Sequence, residues 1–593
     1  MLSKLAAGIC AIVMLCASFI FYLRWQKPAT EATLSWDVSD YYWYLPSIFI
    51  YHDLKKQSFK DTILSKYSPT SGADFQQGFL LPNGNYVLKY SSGTALMYLP
   101  FFFAAHTLAK PLGFPADGFS PPYQFAIQFG GVLIALLGLL YLRKFLLLFY
   151  PDKIVAISLL LLAVGTNFLN YSTIDAGMSH CWLFTVYVFI LLFTYRFYQA
   201  PSVKYAIAIG MLCGLATLSR PTDVISILIP LLWGLDSLSA AAIRRHFSFL
   251  QANARLITVS IICAAAVCSI QLIYWKYTAG EWLVYSYANQ GFNWLHPHFR
   301  KYLIGAHNGW LTYSPVMLFS FVGLIPFWQR KKHIIAVTLF ILVDLYIVCS
   351  WEFYWYGGRF MVQAYPVLAM PLASLVAWAM RTKTGKVFFA AVATAFSYIG
   401  LWTTIQYHYG GLYDWDTANR KYCLATIGRW HVPEDVQKLR DNNEIFEGTP
   451  LQTETIYANN FETDTLLYMV PALRGKKCIG LVQPQDERTF IFNYSSHSKE
   501  WIRAEATFSC KNKEWDVWKM SQLVVTFLLH GQEVKSNMIR IHRFLDNGDT
   551  RQIYLDSKIP SEDFDQVKIR FLHSNSHQPL FITGLHVLDF DAR

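Results

Sequence analysis

Apolar segments of 16–26 residues recur along the first two-thirds of this chain of 593 residues. A run of about 20 such residues crosses the hydrocarbon core of a bilayer as a helix. Only helices and closed barrels satisfy every backbone polar group there, so the pattern leaves few folds open. After a first run, Leu5–Leu23, the segments lie near 94–109, 123–148, 153–170, 180–198, 204–219, 221–236, 255–277, 310–328, 333–350, 359–380 and 386–407. Composition agrees: 54% of residues are hydrophobic and 15% charged, against about 25% charged in soluble domains. These values exclude a disordered chain, a basic nucleic-acid-binding domain and a soluble enzyme. The net charge of +11 is therefore read through the loops, not as a footprint for a phosphate backbone.

Lys4 precedes the first run, and Arg24-Trp25-Gln26-Lys27 follows it with no small-x-small cleavage site. This predicts a retained anchor with a cytoplasmic N-terminus. Basic residues mark the inner loops: Arg143, Lys144 and Lys153; Arg196 and Lys204; Arg244, Arg245 and Arg255; Arg330, Lys331 and Lys332; Arg381, Lys383 and Lys386. The stretches 171–180, 278–309, 351–358 and the tail from 408 then fall outside. Segment 94–109 is short and holds Pro100 and His106, which leaves 11 to 13 spans. The expected fold is a polytopic α-helical membrane protein over 1–407, with a long first outer loop at 24–93, in a bacterial cytoplasmic membrane.

Residues 408–593 read differently. Thr489–Tyr494, Ile502–Phe508, Gln522–Leu529, Met538–Arg543, Gln566–Phe571 and Leu580–Leu588 are short and β-prone, with turn residues between them. This spacing predicts an extracytoplasmic β-sandwich, with jelly-roll topology as one form. Residues 433–470 read as a linker with some helix. No CxxC spacing marks a zinc site.

The densest candidate site is Trp36-Asp37-Val38-Ser39-Asp40-Tyr41-Tyr42. On a helix, Asp37 and Asp40 share one face. One reading is a capped helix start with an interfacial aromatic belt. The other is a carboxylate acting as general base on a hydroxyl at the membrane surface. The same spacing admits Mg²⁺ or Mn²⁺, which the base role does not require. Lys89 opens Lys89-Tyr90-Ser91-Ser92-Gly93, where a lysine is suited to a lipid phosphate. Asp175 and His180 lie between two apolar segments, and Arg220-Pro221-Thr222-Asp223 ends another; caps and topology explain either pair equally well. Arg359, in Trp351-Glu352-Phe353-Tyr354-Trp355-Tyr356-Gly357-Gly358-Arg359, runs against positive-inside placement and calls for an anionic partner. Asp344 is an acid within a predicted span. His296, His298 and His307 match no metal-ligand spacing. No Walker, GxGxxG or HExxH motif is found.

These motifs, in this order and behind an N-terminal anchor, resemble the GT-C superfamily of integral-membrane glycosyltransferases. The nearest branches are the protein O-mannosyltransferase-like, aminoarabinose-transferase-like and rhizobial galacturonosyltransferase-like ones, and the likeness covers about 1–407. It implies an inverting transfer of a sugar from a polyprenyl-phosphate donor to an acceptor hydroxyl on a lipid, glycan or protein, with membrane lipids around the chain. It implies Asp40, or Asp37, as catalytic base, with Asp40 first by its neighbouring tyrosines. Lys89, with Arg359 and Arg220, would bind the donor phosphate; Tyr41, Tyr42, Asp175, His180, Glu352 and Trp355 would bind substrate. The tail resembles β-sandwich modules, often carbohydrate-binding, appended to such enzymes. Two departures stand out: the family's adjacent acid pair is spaced apart here, and Ser91-Ser92 replaces the prolines that often follow the lysine. A polysaccharide or lipid transporter, or flippase, is the main alternative. It would place polar groups at mid-bilayer within repeated halves; here they cluster at segment ends and no repeat is evident.

Overall fold

Runs of Leu, Ala, Ile and Phe without turn residues wind into helices through the first of two units, Met1–Tyr409 and Gly410–Arg593. The computed structural model describes all residues except 72–73, 288–289, 307, 353–355, 411–418, 447, 462–466, 470–476 and 592–593. Among the described residues, six helices are long and apolar enough to cross a membrane: Leu2–Gln26, Pro121–Leu146, Ser179–Gln199, Ala254–Ala279, Tyr356–Ala379 and Lys383–Tyr409. Five shorter apolar helices accompany them: Gly93–Ala109, Val203–Ser219, Pro221–Leu232, Pro315–Trp328 and Ile334–Ser350. The chain is a multi-pass membrane protein. Tyr356–Ala379 is its central helix, with 94% of its apolar window buried, and Ala254–Ala279 is peripheral, with 6%.

Breaks in the apolar segments have local causes. The segment at 153–170 divides into Asp152–Val164 and Phe168–Thr173 around Gly165. Ser314-Pro315 interrupts 310–328, because proline cannot donate to the preceding turn. Pro221 opens a 3-10 stretch, Pro221–Ile227, before Leu228–Leu232.

The 24–93 loop is folded. Helices Trp36–Tyr42, Tyr44–Phe49 and Lys60–Tyr67 are followed by a hairpin of β1 (Gly78–Leu80) and β2 (Tyr86–Leu88). Trp43 is fully buried, stacks on Phe59 at 5.7 Å and donates to Gln57 Oε1 at 2.9 Å. Helix Ala254–Ala279 receives the hairpin: the Leu88 amide donates to Tyr274 Oη at 2.8 Å and the Ser92 amide to Gln271 Oε1 at 2.9 Å.

The second unit carries β3 (Leu451–Asn459), β4 (Leu467–Met469), β5 (Lys477–Leu481), β6 (Glu487–Asn493), β7 (Trp501–Cys510), β8 (Gln522–Leu529), β9 (Gln532–Arg540), β10 (Thr550–Lys558), β11 (Gln566–Leu572) and β12 (Leu580–Asp591). One antiparallel sheet runs β10-β7-β12-β5-β4, with β3 also on β12; the other runs β6-β11-β8-β9. Ile502, Phe508 and Ile582 of the first meet Val525, Phe527 and Ile569 of the second in one core, so the two form a sandwich. From β6 to β12 the chain crosses repeatedly between the sheets. Two sequence expectations are corrected. The 433–470 stretch contributes β3 and β4 as well as helix. Met538–Arg543 leaves the sheet after Arg540 as a 3-10 turn, Ile541–Arg543. Strand β10 escaped notice because Thr550-Arg551-Gln552 opens it with three polar residues.

Candidate functional site

The site begins at a strained residue. Trp36, first in helix Trp36–Tyr42, has a left-handed φ of 48°, a conformation that costs a residue with a Cβ about 1–2 kcal/mol. Its amide is held by the Pro69 carbonyl at 2.9 Å. The helix starting there turns Asp37 and Tyr41, one turn apart, onto one cavity.

Three other segments close that cavity. Lys89 follows β2, and its backbone is fixed on both sides. Its amide donates to the Gln77 carbonyl at 2.9 Å, and Ser286 Oγ donates to its carbonyl at 2.6 Å. Gly93 opens the next helix against Ser219, so closely that a Cβ there would collide with the Ser219 backbone. This contact brings the lysine segment beside Arg220. Arg359 comes from the start of the central helix. There Gly357 and Gly358 both take φ of 60°, a region that costs glycine little. Tyr171 Oη, Asn167 Nδ2 and Tyr302 Oη donate to the carbonyls of Tyr356, Gly357 and Gly358 at 2.8, 2.7 and 3.1 Å. The arginine is thus aimed by a pinned, tightly turned backbone. In Gly358→Ala the Cβ would collide with Trp310, and the left-handed conformation alone costs about 1 kcal/mol. That variant should melt earlier in a thermal unfolding assay and lose whatever function needs Arg359.

Arg359 Nη2 donates to Asp37 Oδ2 at 2.7 Å, and both side chains are largely shielded. Arg220 stacks over Phe360 at 4.7 Å, with its Nε 3.6 Å from Oδ2 of the buried Asp223. Tyr187 Oη donates to Asp223 Oδ1 at 2.6 Å. Lys89 Nζ lies 5.2 Å from the Tyr90 ring centroid. Aromatic walls complete the cavity: Tyr41 packs on Tyr90 at 4.6 Å, Tyr90 on Tyr287 at 5.5 Å, and Tyr287 on Trp351 at 5.7 Å. Burial pushes the Tyr41 phenol up to about 12, so it stays a neutral donor. One carboxylate, two guanidiniums and one ammonium therefore surround about 60 Å³ of polar space. A largely apolar cavity of about 270 Å³ adjoins it across Arg220, Tyr287, Trp351 and Phe360, lined further by Trp275, Val284, Phe292, Ile347 and Val348.

Other expected residues lie elsewhere. Asp40 is 4% exposed and does not line the cavity. Burial, and then the Asp37 charge, hold its carboxyl well above the usual range, partly offset by Lys89. Tyr42 faces the protein core, where Tyr98, Phe102 and Phe119 surround it and its hydroxyl donates to the Gly118 carbonyl. Asp175 pairs with Arg24 and accepts from Asn170 Nδ2 at 2.8 Å; it ties the end of the first span to the 168–180 segment. His180 is buried behind the cavity wall, 2.9 Å from Gln363 Oε1 and 5.7 Å from the Phe360 ring. Glu352 is exposed and away from the cavity lining. Trp355 and His307 fall outside the described residues. Asp344 is buried, with Oδ2 lacking a hydrogen-bond partner among the described residues.

A divalent ion at Asp37 and Asp40 is a poor fit. Asp37 is already engaged by Arg359 and ringed by cations, and no group of three His, Cys, Asp or Glu side chains converges among the described residues. Tyr287 and Gln290 were not singled out from sequence; they lie in the 278–309 stretch, rich in Trp, Tyr and His, that was placed on the outer side.

A raised acid such as Asp40 binds its proton more tightly folded than unfolded. Its stabilising contribution is full below the unfolded carboxylate range and is lost as pH rises through the folded value. Asp40→Asn mimics the protonated form. It should melt a few degrees higher than wild type at neutral pH and show a flatter pH profile of melting temperature.

The fold defines a multi-pass membrane protein with an appended β-sandwich, and the site is a cationic cavity holding one carboxylate. No family model and no curated protein matches the chain. Among solved structures, it is similar to arabinosyltransferase EmbB from Mycobacterium smegmatis at 9% identity and a TM-score of 0.36, over 99% of this chain and 64% of that one. It is also similar to the infectious bursal disease virus VP2 subviral particle at 13% identity and a TM-score of 0.18, over 24% of this chain and 34% of that one. Both likenesses are distant, and the chain spans less than two-thirds of either.

Proposed function

We propose that the chain is a glycosyltransferase that moves a sugar from a polyprenyl-phosphate donor to an acceptor hydroxyl at the outer face of a bacterial cytoplasmic membrane. The observation that supports this most is the pairing of the two cavities. A polar chamber with Arg220, Arg359 and Lys89 suits a phosphate, and the adjoining apolar cavity suits the first units of its lipid. Asp37, rather than Asp40, is the base on this reading, because it lines the chamber and Asp40 does not.

The chemistry balances without a further reactant. The acceptor oxygen attacks the anomeric carbon as its proton passes to Asp37. The bond from that carbon to the phosphate oxygen breaks, and the electron pair leaves with the lipid phosphate. Cations placed where that charge develops lower the barrier. Attack opposite the leaving group inverts the anomeric centre. Tyr41, Tyr90, Tyr287 and Trp351 offer faces on which a sugar ring can pack.

The test is release of free polyprenyl phosphate, read by mass spectrometry, when purified full-length protein is added to membranes carrying a lipid-linked sugar pool. Release that depends on the protein, with mass gained by an acceptor, supports transfer. An intact donor pool with no release would overturn the reading in favour of transport without chemistry.

A further inference from the structure

The ends of helices Pro121–Leu146 and Ser179–Gln199 remote from the chamber form a second cavity, of about 380 Å³. Tyr141 and Lys144 line it from one helix, Leu148 from the turn just after it, and Phe189, Phe193 and Arg196 from the other helix. This volume is within the range of small-ligand sites. We propose that it binds the anionic phosphodiester headgroup of a membrane lipid in the leaflet opposite the candidate active site.

Position supports this first. Gln124, near the start of its helix, accepts from the Leu34 amide of the first loop, and His180, at the start of the other, packs on the chamber wall. Lys144 lies about 30 Å further along its helix at about 1.5 Å rise per residue. That is roughly one hydrocarbon thickness, so the cavity sits at the other membrane interface. Basic pockets between helices at such an interface bind anionic headgroups.

Charge is the second argument. Lys144 and Arg196 are exposed cations on one cavity. Lys144 Nζ lies 4.1 Å from the Tyr141 ring centroid, and neither cation has a carboxylate within ion-pairing distance among the described residues. Lys204 stands close by, over Tyr205, whose ring packs on Phe193 at 6.2 Å. An anion between the cations would relieve their mutual repulsion. The wall is the third argument. Leu148, Phe189 and Phe193 give the cavity an apolar side that a free anion does not use and a lipid's glycerol and first methylenes do. The site is independent of the transfer reaction.

Native mass spectrometry of the detergent-purified full chain, titrated with phosphatidylglycerol or phosphatidylcholine, tests this. Phosphatidylglycerol should bind more tightly, and Lys144→Ala with Arg196→Ala should weaken it about tenfold to thirtyfold. The exchange Lys144→Arg with Arg196→Lys keeps both charges and should keep binding, which separates lost charge from lost fold. Lys331→Ala with Lys332→Ala, basic residues off this cavity, should leave it unchanged. Equal binding of the two lipids, or no loss in the alanine pair, would overturn the proposal. Displacement of phosphatidylglycerol by millimolar inorganic phosphate would overturn the lipid as source and leave a free-anion site.

Discussion

Asp37→Asn should reduce sugar transfer by about 10²–10⁴-fold, the usual contribution of a positioned general base, with little change in donor affinity. The amide keeps the size of the side chain and a carbonyl oxygen for Arg359, but it takes no proton at neutral pH. Asp40→Asn should retain most activity, because that side chain is already held toward its neutral form and does not line the chamber. Initial rates of lipid-phosphate release by the two purified variants decide between them. Loss in Asp40→Asn with retention in Asp37→Asn would transfer the base role to Asp40.

Arg359→Ala should be nearly as severe, at about 10²–10³-fold in kcat, the scale for removing one preorganised donor to developing charge. It also leaves Asp37 without its 2.7 Å partner. Arg359→Lys should recover only part of the loss, since an ammonium cannot present the planar fork that grips phosphate oxygens in pairs. Steady-state kinetics separate the effects: a ground-state anchor raises KM alone, whereas stabilisation of the departing phosphate lowers kcat. A defect confined to KM in Arg359→Ala would assign the arginine to donor binding only.

The membrane half was legible in outline, because hydrophobic runs of bilayer length survive any detail of packing. Helix breaks were less so, since Gly165 and Pro315 act through local backbone geometry inside runs that look continuous. At the site, Asp37, Lys89, Arg220 and Arg359 were visible as charges at segment ends. Which acid faces the chamber was not. Asp37 and Asp40 are equivalent by spacing, and only the folded chain, which puts Arg359 against Asp37 and lines the chamber with it, sets the two apart. Asp175 illustrates the converse. Its sequence position suggests a substrate contact, and its partner Arg24, about 150 residues away, becomes apparent only when the first span packs against the 168–180 segment. In the β-sandwich, the sequence pattern marked β6, β7, β8, part of β9, β11 and β12, and missed β3, β4, β5 and β10.

The contact between Asp37 and Arg359 works as an interlock. Each group satisfies the other, so neither is at full strength while they remain together. On the proposed reading, a lipid phosphate entering the chamber would compete for the guanidinium and free the carboxylate to face a hydroxyl. Donor arrival would then arm the base, and an acceptor arriving first would meet a carboxylate already engaged. Such an interlock would commit the reactants in a fixed order, and the sugar would not meet an armed base until its carrier is seated.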